Sequence, residues 1–157
     1  MQRGDPTTRA YWDDRVRTAK NREDMIFLDS RRDEYWRRVR AQLSEWAKEG
    51  LTVLDVACGF GRFATIFMPA QYRGIDFSEE MLKIATRENP LYAFEGMSAH
   101  EVNLRPAAFD VIFEVNSLRS LGMSPEDFVK RFSPYANVAV ATLEADEFRV
   151  SHLYPQR

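Results

Sequence analysis

The clearest hydrophobic pattern lies at residues 31–49, where Trp36, Val39, Leu43, Trp46 and Ala47 recur at steps of three and four. That spacing places them on one face of an α-helix. Ser30 stands where a cap is needed, Asp33 and Glu34 occupy the first turn, where the helix dipole favours acids, and Gly50 ends the run. Upstream, residues 1–9 are polar with Gly and Pro and predict a loose start. Tyr11–Leu28 mixes charge with apolar side chains and fits one or two short helices.

After Gly50 the pattern changes to short apolar, β-branched runs. They predict strands at Thr52–Ala57, Tyr72–Phe77, Leu91–Glu95, Phe109–Val115 and Asn137–Leu143, with Phe148–Tyr154 a short sixth. Helix signals lie between them: Arg62–Met68, Ser78 as cap for a helix to Arg87, and Ser124-Pro125-Glu126-Asp127, with Pro at the first helical position. Strands alternating with helices predict an α/β fold: a Rossmann-like, doubly wound, mostly parallel sheet, preceded by N-terminal helices. Ligands of such sheets bind outside the carboxyl ends of the strands. That rule selects Asp55–Gly61, Asp76–Phe77, Gly96–Ala99 and Glu114–Leu118.

Composition narrows this picture. A chain of 157 residues fits one domain, here a helical cap over 1–50 and an α/β core over 51–157. At 45% hydrophobic it carries enough apolar surface to exclude a disordered chain. A net charge of −2 argues against a nucleic-acid partner, which needs a basic surface. The basic run Arg31, Arg32, Arg37, Arg38 and Arg40 is offset by neighbouring acids; it reads as a solvated helix face, with RNA contact the alternative. The single cysteine, Cys58, excludes an internal disulfide, and with two histidines it builds no zinc site, so no metal is expected. Cys58 reads as a packing residue, and His100 and His152 as surface or packing residues rather than bases. No secretory signal or membrane-spanning run stands out, so a cytoplasmic location is the default expectation.

The chemistry concentrates in Val53-Leu54-Asp55-Val56-Ala57-Cys58-Gly59-Phe60-Gly61-Arg62. Gly59-x-Gly61-x-x-Ala64 fits a dinucleotide fingerprint. Asp55 opposes that reading, because a pyrophosphate would meet a fixed carboxylate. A cation is favoured instead, and S-adenosylmethionine carries an ammonium and a sulfonium but no phosphate. The glycines would let the backbone approach its methionine part. Asp76, at the end of the second strand, lies about 20 residues beyond the glycines, the spacing of an acid that grips ribose hydroxyls. A carboxylate accepts two hydrogen bonds from a vicinal diol. Phe77 and Met81 are placed to flank the adenine.

Val53-Leu54-Asp55-x-x-Cys58-Gly59-x-Gly61-Arg62, Gly74-Ile75-Asp76-Phe77-Ser78-x-x-Met81-Leu82 and Phe109-Asp110-Val111-Ile112 together resemble the class I S-adenosylmethionine-dependent methyltransferases over residues 51–143. Tyr11-Trp12-Asp13 is similar to the opening of many small-molecule members. The resemblance implies that Asp55, Ala57, Gly59 and Gly61 hold the methionine part, that Asp76 holds the ribose, and that Met97 and Ser98 line the adenine. It places Glu114 to Asn116 toward the methionine end and the substrate. Tyr11 and Trp12 would form a lid, or else pack on the helix at 31–49. The expected reaction is methyl transfer to O or N of a small molecule, with Glu114, Asn116 and Tyr11 near the acceptor and S-adenosylhomocysteine as product. Glu114 would hold an amine or abstract a proton; a solvated strand-end acid is the alternative. A non-catalytic cofactor-binding regulatory module and a non-methylating use of the cofactor remain the competing functions.

Three features depart from the family. Gly96-Met97-Ser98-Ala99 offers no acid to the adenine amino group. Leu118-Arg119-Ser120-Leu121 lacks the His or Glu of many relatives. Only 14 residues follow Leu143, so the family's terminal hairpin is expected to be shortened or absent, leaving a sheet edge that a second copy could cover as a homodimer.

Overall fold

The computed structural model describes residues 4–18 and 33–153. Its elements run α1 (Arg9–Thr18), α2 (Asp33–Lys48), β1 (Val53–Val56), β2 (Tyr72–Asp76), α3 (Glu79–Glu88), β3 (Ala93–Gly96), β4 (Phe109–Val115), α4 (Leu118–Leu121), α5 (Pro125–Phe132), β5 (Ala136–Leu143) and β6 (Phe148–His152). The predicted cap Ser30, the apolar residues 25–28 and Tyr154 lie outside the described residues.

The six strands form one sheet in the order β3-β2-β1-β4-β5-β6, parallel throughout except that β6 runs antiparallel to β5. Alternation along each strand separates two cores. Val53, Val111, Phe113, Ala139 and Ala141 face α2, which contributes Val39, Leu43 and Trp46. Leu54, Val56, Ile75, Ile112 and Val140 face the other way, where α5 contributes Phe128 and Phe132. The sheet is therefore covered on both faces, and its four-residue first strand is buried at every position.

The capping chemistry acts where the sequence places it. Ser78 Oγ accepts from the Met81 N–H at the start of α3. Ser124 and Asp127 form a reciprocal capping box on α5. The helix expected at Arg62–Met68 is not formed. A single 3₁₀ turn, Ala64–Ile66, takes its place. Pro69 explains this: it drives the preceding Met68 to an extended conformation (φ −69°, ψ 148°) and closes the segment before an α-helix can propagate. The unpredicted α4 is one turn ended by Gly122 at φ 64°. Residues 144–147 turn the chain from β5 into β6, which pairs antiparallel with it.

Candidate functional site

Between β1 and β4 the chain order of the sheet reverses, so the loops leaving these two strands diverge and open a cleft. Both loops begin on a non-glycine residue in the left-handed region, Ala57 at φ 60° and Asn116 at φ 52°. Such residues cost energy and cluster where function fixes the backbone. Gly59 (φ 58°) and Gly61 (φ 77°) continue the first loop. A Cβ on Gly61 would stand 2.7 Å from the Phe94 ring, whereas one on Gly59 would meet nothing within 4 Å. Gly61 is thus required by packing, and Gly59 leaves open space beside the cleft.

The cleft contains a cavity lined by the Ala57–Phe60 loop, Asp76, Phe77 and Met81 on one side and by Asn116 and Ser117 on the other. A second cavity adjoins it, sharing Ala57, Asp76 and Phe77 and adding Met97, Ser98 and His100. Asp76 sits between the two. Its Oδ2 accepts from the Gly59 N–H and its Oδ1 from the Ser78 N–H, each at 2.9 Å. Every carboxylate oxygen has two lone pairs, so each can still accept a ligand hydroxyl. Burial pushes the Asp76 pKa up to about 6 despite these bonds.

Asp55 lies off the cavity wall. It is 2% exposed, accepts from the Tyr72 hydroxyl at 2.7 Å, and has its pKa pushed up to about 7, chiefly by burial. Its influence on a ligand is therefore a field through Arg62 and the loop rather than a contact. Arg62 does line the cavity. Its guanidinium lies 4.2 Å from the Trp36 ring centroid and 4.6 Å from that of Phe63. Burial brings its pKa down to about 10, with Asp55 opposing that shift. No carboxylate of the described residues lies within ion-pair distance of it. Trp36, from α2, also lines the cavity, and its indole N–H is buried without an acceptor. That end of the cavity offers hydrogen-bond donors and positive charge.

α1 packs on α3, not on α2 as the packing alternative for Tyr11 and Trp12 supposed. Trp12 and Val16 join Phe60 and Met81, and Ser78 Oγ donates to Asp13 Oδ1 at 2.6 Å. This docking sets Trp12 over the cavity while Tyr11 faces a larger groove between α1 and residues 144–146. Trp12, Asn116 and Ser120 line both the cavity and the groove. The groove measures 1390 Å³ against 120 Å³ for the cavity, so only the groove has room for a bulky second ligand.

Glu114 is fully buried and lines neither space. The Ser117 N–H and Oγ donate to its Oε2 at 2.8 and 2.9 Å. Neither a solvated acid nor a direct substrate contact describes it. Among the expected residues, Ala57, Gly59, Asp76, Phe77, Met81, Trp12 and Asn116 meet on the first cavity, Met97 and Ser98 on the second, and Tyr11 on the groove. Gly61 shapes the loop without lining either cavity. Sequence reasoning missed Trp36, Arg62 and Glu144. Trp36 was absorbed into a helical core stripe, and the basic side chain directly after Gly61 was the one available signal for Arg62. Cys58 packs its Sγ over Gly74, where a Cβ would lie 2.8 Å away, as a packing residue would.

These residues fit S-adenosylmethionine. Arg62 and the Trp36 indole N–H suit the methionine carboxylate, the space beside Gly59 suits the chain that follows, and the free lone pairs of Asp76 suit the ribose hydroxyls. Among the described residues no cluster that could hold a metal occurs, and no helix is long and apolar enough to cross a membrane.

A family model described as a methyltransferase domain matches residues 54–134, just over half of the chain. A demethylmenaquinone methyltransferase of Chlorobaculum parvum is 31% identical over 111 residues, covering 65% of this chain and 46% of that protein. One from Desulfitobacterium hafniense is 34% identical over 83 residues, covering 48% and 32%. The chain thus spans a third to a half of the length of these relatives. Among solved structures, the magnesium protoporphyrin IX methyltransferase of Synechocystis PCC 6803 with bound S-adenosylmethionine superposes with a TM-score of 0.62 at 16% identity, covering 88% of this chain and 76% of that one. The [4+2]-cyclase SpnF superposes at 0.55 and 23% identity, covering 67% and 43%. At such identities these neighbours share the fold.

Proposed function

The chain belongs to the methyltransferase domain family, and from that premise we propose that it methylates an O or N atom of a small molecule held in the groove beside α1. The observation that carries this reading is the shared wall: Trp12, Asn116 and Ser120 border both the cofactor cavity and the groove. A reactive centre held in the cavity faces the groove across those three side chains.

Bound S-adenosylmethionine supplies a methyl group on a sulfonium, already a good leaving group. What remains for the protein is placement. Arg62 and Trp36 anchor the carboxylate end, Asp76 the ribose, and Met97 and Ser98 border the adenine. Trp12, packed on Phe60 and Met81, screens the methionine end from water. Tyr11 and Asn116 stand at the acceptor side. The 1390 Å³ groove admits acceptors larger than a metabolite fragment, of the size of the demethylmenaquinone and magnesium protoporphyrin IX for which those two proteins are named.

Parallel calorimetric titrations with S-adenosylmethionine, S-adenosylhomocysteine and NAD, with products read by mass spectrometry, test this. Binding of both adenosyl ligands and not of NAD, with S-adenosylhomocysteine formed from an acceptor pool, is expected. Binding without turnover would favour a regulatory module, release of another product a non-methylating reaction, and no adenosyl binding would overturn the cofactor reading.

A further inference from the structure

Three buried polar oxygens without a hydrogen-bond partner gather at the ends of β4 and β5: Glu114 Oε1, Thr142 Oγ1 and Glu144 Oε2. The register explains their proximity. Glu114 pairs with Thr142 across the two strands, and Glu144 follows two residues on. Ser117 holds one oxygen of Glu114 through two hydrogen bonds, and the Glu114 carboxyl neighbours that of Glu144. Burial and the neighbouring Glu144 both raise the Glu114 pKa well above the usual carboxylate range.

A buried oxygen without a donor costs about 1–3 kcal/mol, and Glu144 is the one of the three residues to which a ligand in the groove can bring a donor. The approach is from the groove. Glu144 lines it, whereas Glu114 and Thr142 are fully buried behind. The other charged groups there are Asp5, Asp14 and Asp146 against Arg15 and Arg119, so carboxylates predominate. Asp5 is engaged by the Thr7 N–H and hydroxyl. Tyr11 and Trp12 supply aromatic faces, which attract cations. A carboxylate or phosphate ligand would set a further anion against Glu144 and its acidic neighbours. An ammonium brings three donors and no acceptor.

We propose that Glu144, backed by Glu114 and Thr142, is the ligand-binding carboxylate of the groove, and that the methyl acceptor presents a protonated amine to it. This deepens the methyltransferase reading and rests on it for the role of the groove, while the amine site itself can be measured without turnover. Glu114 is a positioning residue: it sits behind Glu144, held by Ser117, and does not reach the groove.

The test uses three probes on one scaffold, phenethylamine, 2-phenylethanol and 3-phenylpropionate, titrated into the full chain saturated with S-adenosylhomocysteine. The amine is expected to bind about tenfold more tightly than the alcohol, and the propionate not at all. Glu144→Gln, nearly isosteric, should abolish the amine preference and leave alcohol binding unchanged. Glu114→Gln, whose amide can still accept from Ser117 and donate to Glu144, should keep the preference. Equal binding of amine and alcohol to the native chain, or equal loss of both in Glu144→Gln, would overturn the proposal. A second arm compares S-adenosylhomocysteine with its deaminated analogue in native and Glu144→Gln protein. If the substitution weakens only the amino form, the pair holds the cofactor's own ammonium and the acceptor assignment is wrong. Failure of S-adenosylhomocysteine to bind at all would sink the methyltransferase reading alone, because the amine series can be repeated without it.

Discussion

The two halves of the cleft both end their strands in buried acids, but treat them differently. On the β1–β2 side the chain satisfies its own carboxylates: Asp76 through two backbone N–H groups, Asp55 through Tyr72. On the β4–β5 side Glu114, Thr142 and Glu144 are each left with an unpartnered oxygen. The first half is organised before any ligand arrives, whereas the second is completed from outside. A fold that serves many acceptors with one cofactor is expected to divide this way, with a fixed half and an open half.

The largest effect expected of this contrast is at Asp76. Asp76→Ala removes the acceptor of Gly59 and Ser78 together with the ribose anchor, and should weaken S-adenosylhomocysteine binding by about 100-fold, or roughly 2.7 kcal/mol, in calorimetry. If affinity were unchanged, the β1–β2 side would not be the organised half. Next is Gly61→Ala. A Cβ there meets the Phe94 ring, and the backbone sits at φ 77°, so about 2–4 kcal/mol of stability should be lost in chemical denaturation. The third effect is in pH. Asp76 and Asp55 titrate near 6 and 7 in the ligand-free protein, and a cationic, donor-rich ligand favours their charged forms. S-adenosylmethionine binding should therefore release protons and weaken by about tenfold between pH 7.5 and pH 5. Stability of the free protein moves the other way. The folded state holds these protons more tightly than the unfolded chain, whose aspartates titrate near 3.8. Their contribution is complete below that value and is lost as pH rises to about 7. Thermal midpoints with and without cofactor should cross-check both slopes. The smallest effect is Ala57→Gly, which relieves a left-handed alanine and should shift stability by about 1 kcal/mol or less in the stabilising direction.

Much of the β1–β2 half was legible because its signals are local. The alternation of apolar runs marked the strands, Ser78 and Ser124 marked helix starts, and the glycines and Asp76 lie within one strand-loop-strand unit. The missed helix at Arg62–Met68 was also a local matter, in which Pro69 outweighed the hydrophobic spacing. Asp55 shows the limit of such reasoning. Its position at a strand end was correct, but alternation turned its side chain toward Tyr72 and away from the cavity.

The β4–β5 half was not legible in the same way. Glu114 and Glu144 are thirty residues apart in the chain, and nothing near either announces the other. Only the parallel pairing of β4 with β5 sets the two carboxyls together. Trp36 and Arg62 likewise come from α2 and the glycine loop, and meet because α2 covers one face of the sheet. The sequence alone determined the order of strands and helices, the glycine loop and the acid beyond it, since each depends on backbone preferences and on neighbours a few residues away. The tertiary structure decided which side chains share a space, which acids keep a partner and which do not. Burial and close pairing arise between segments far apart along the chain, and those are what turn an acid into a site.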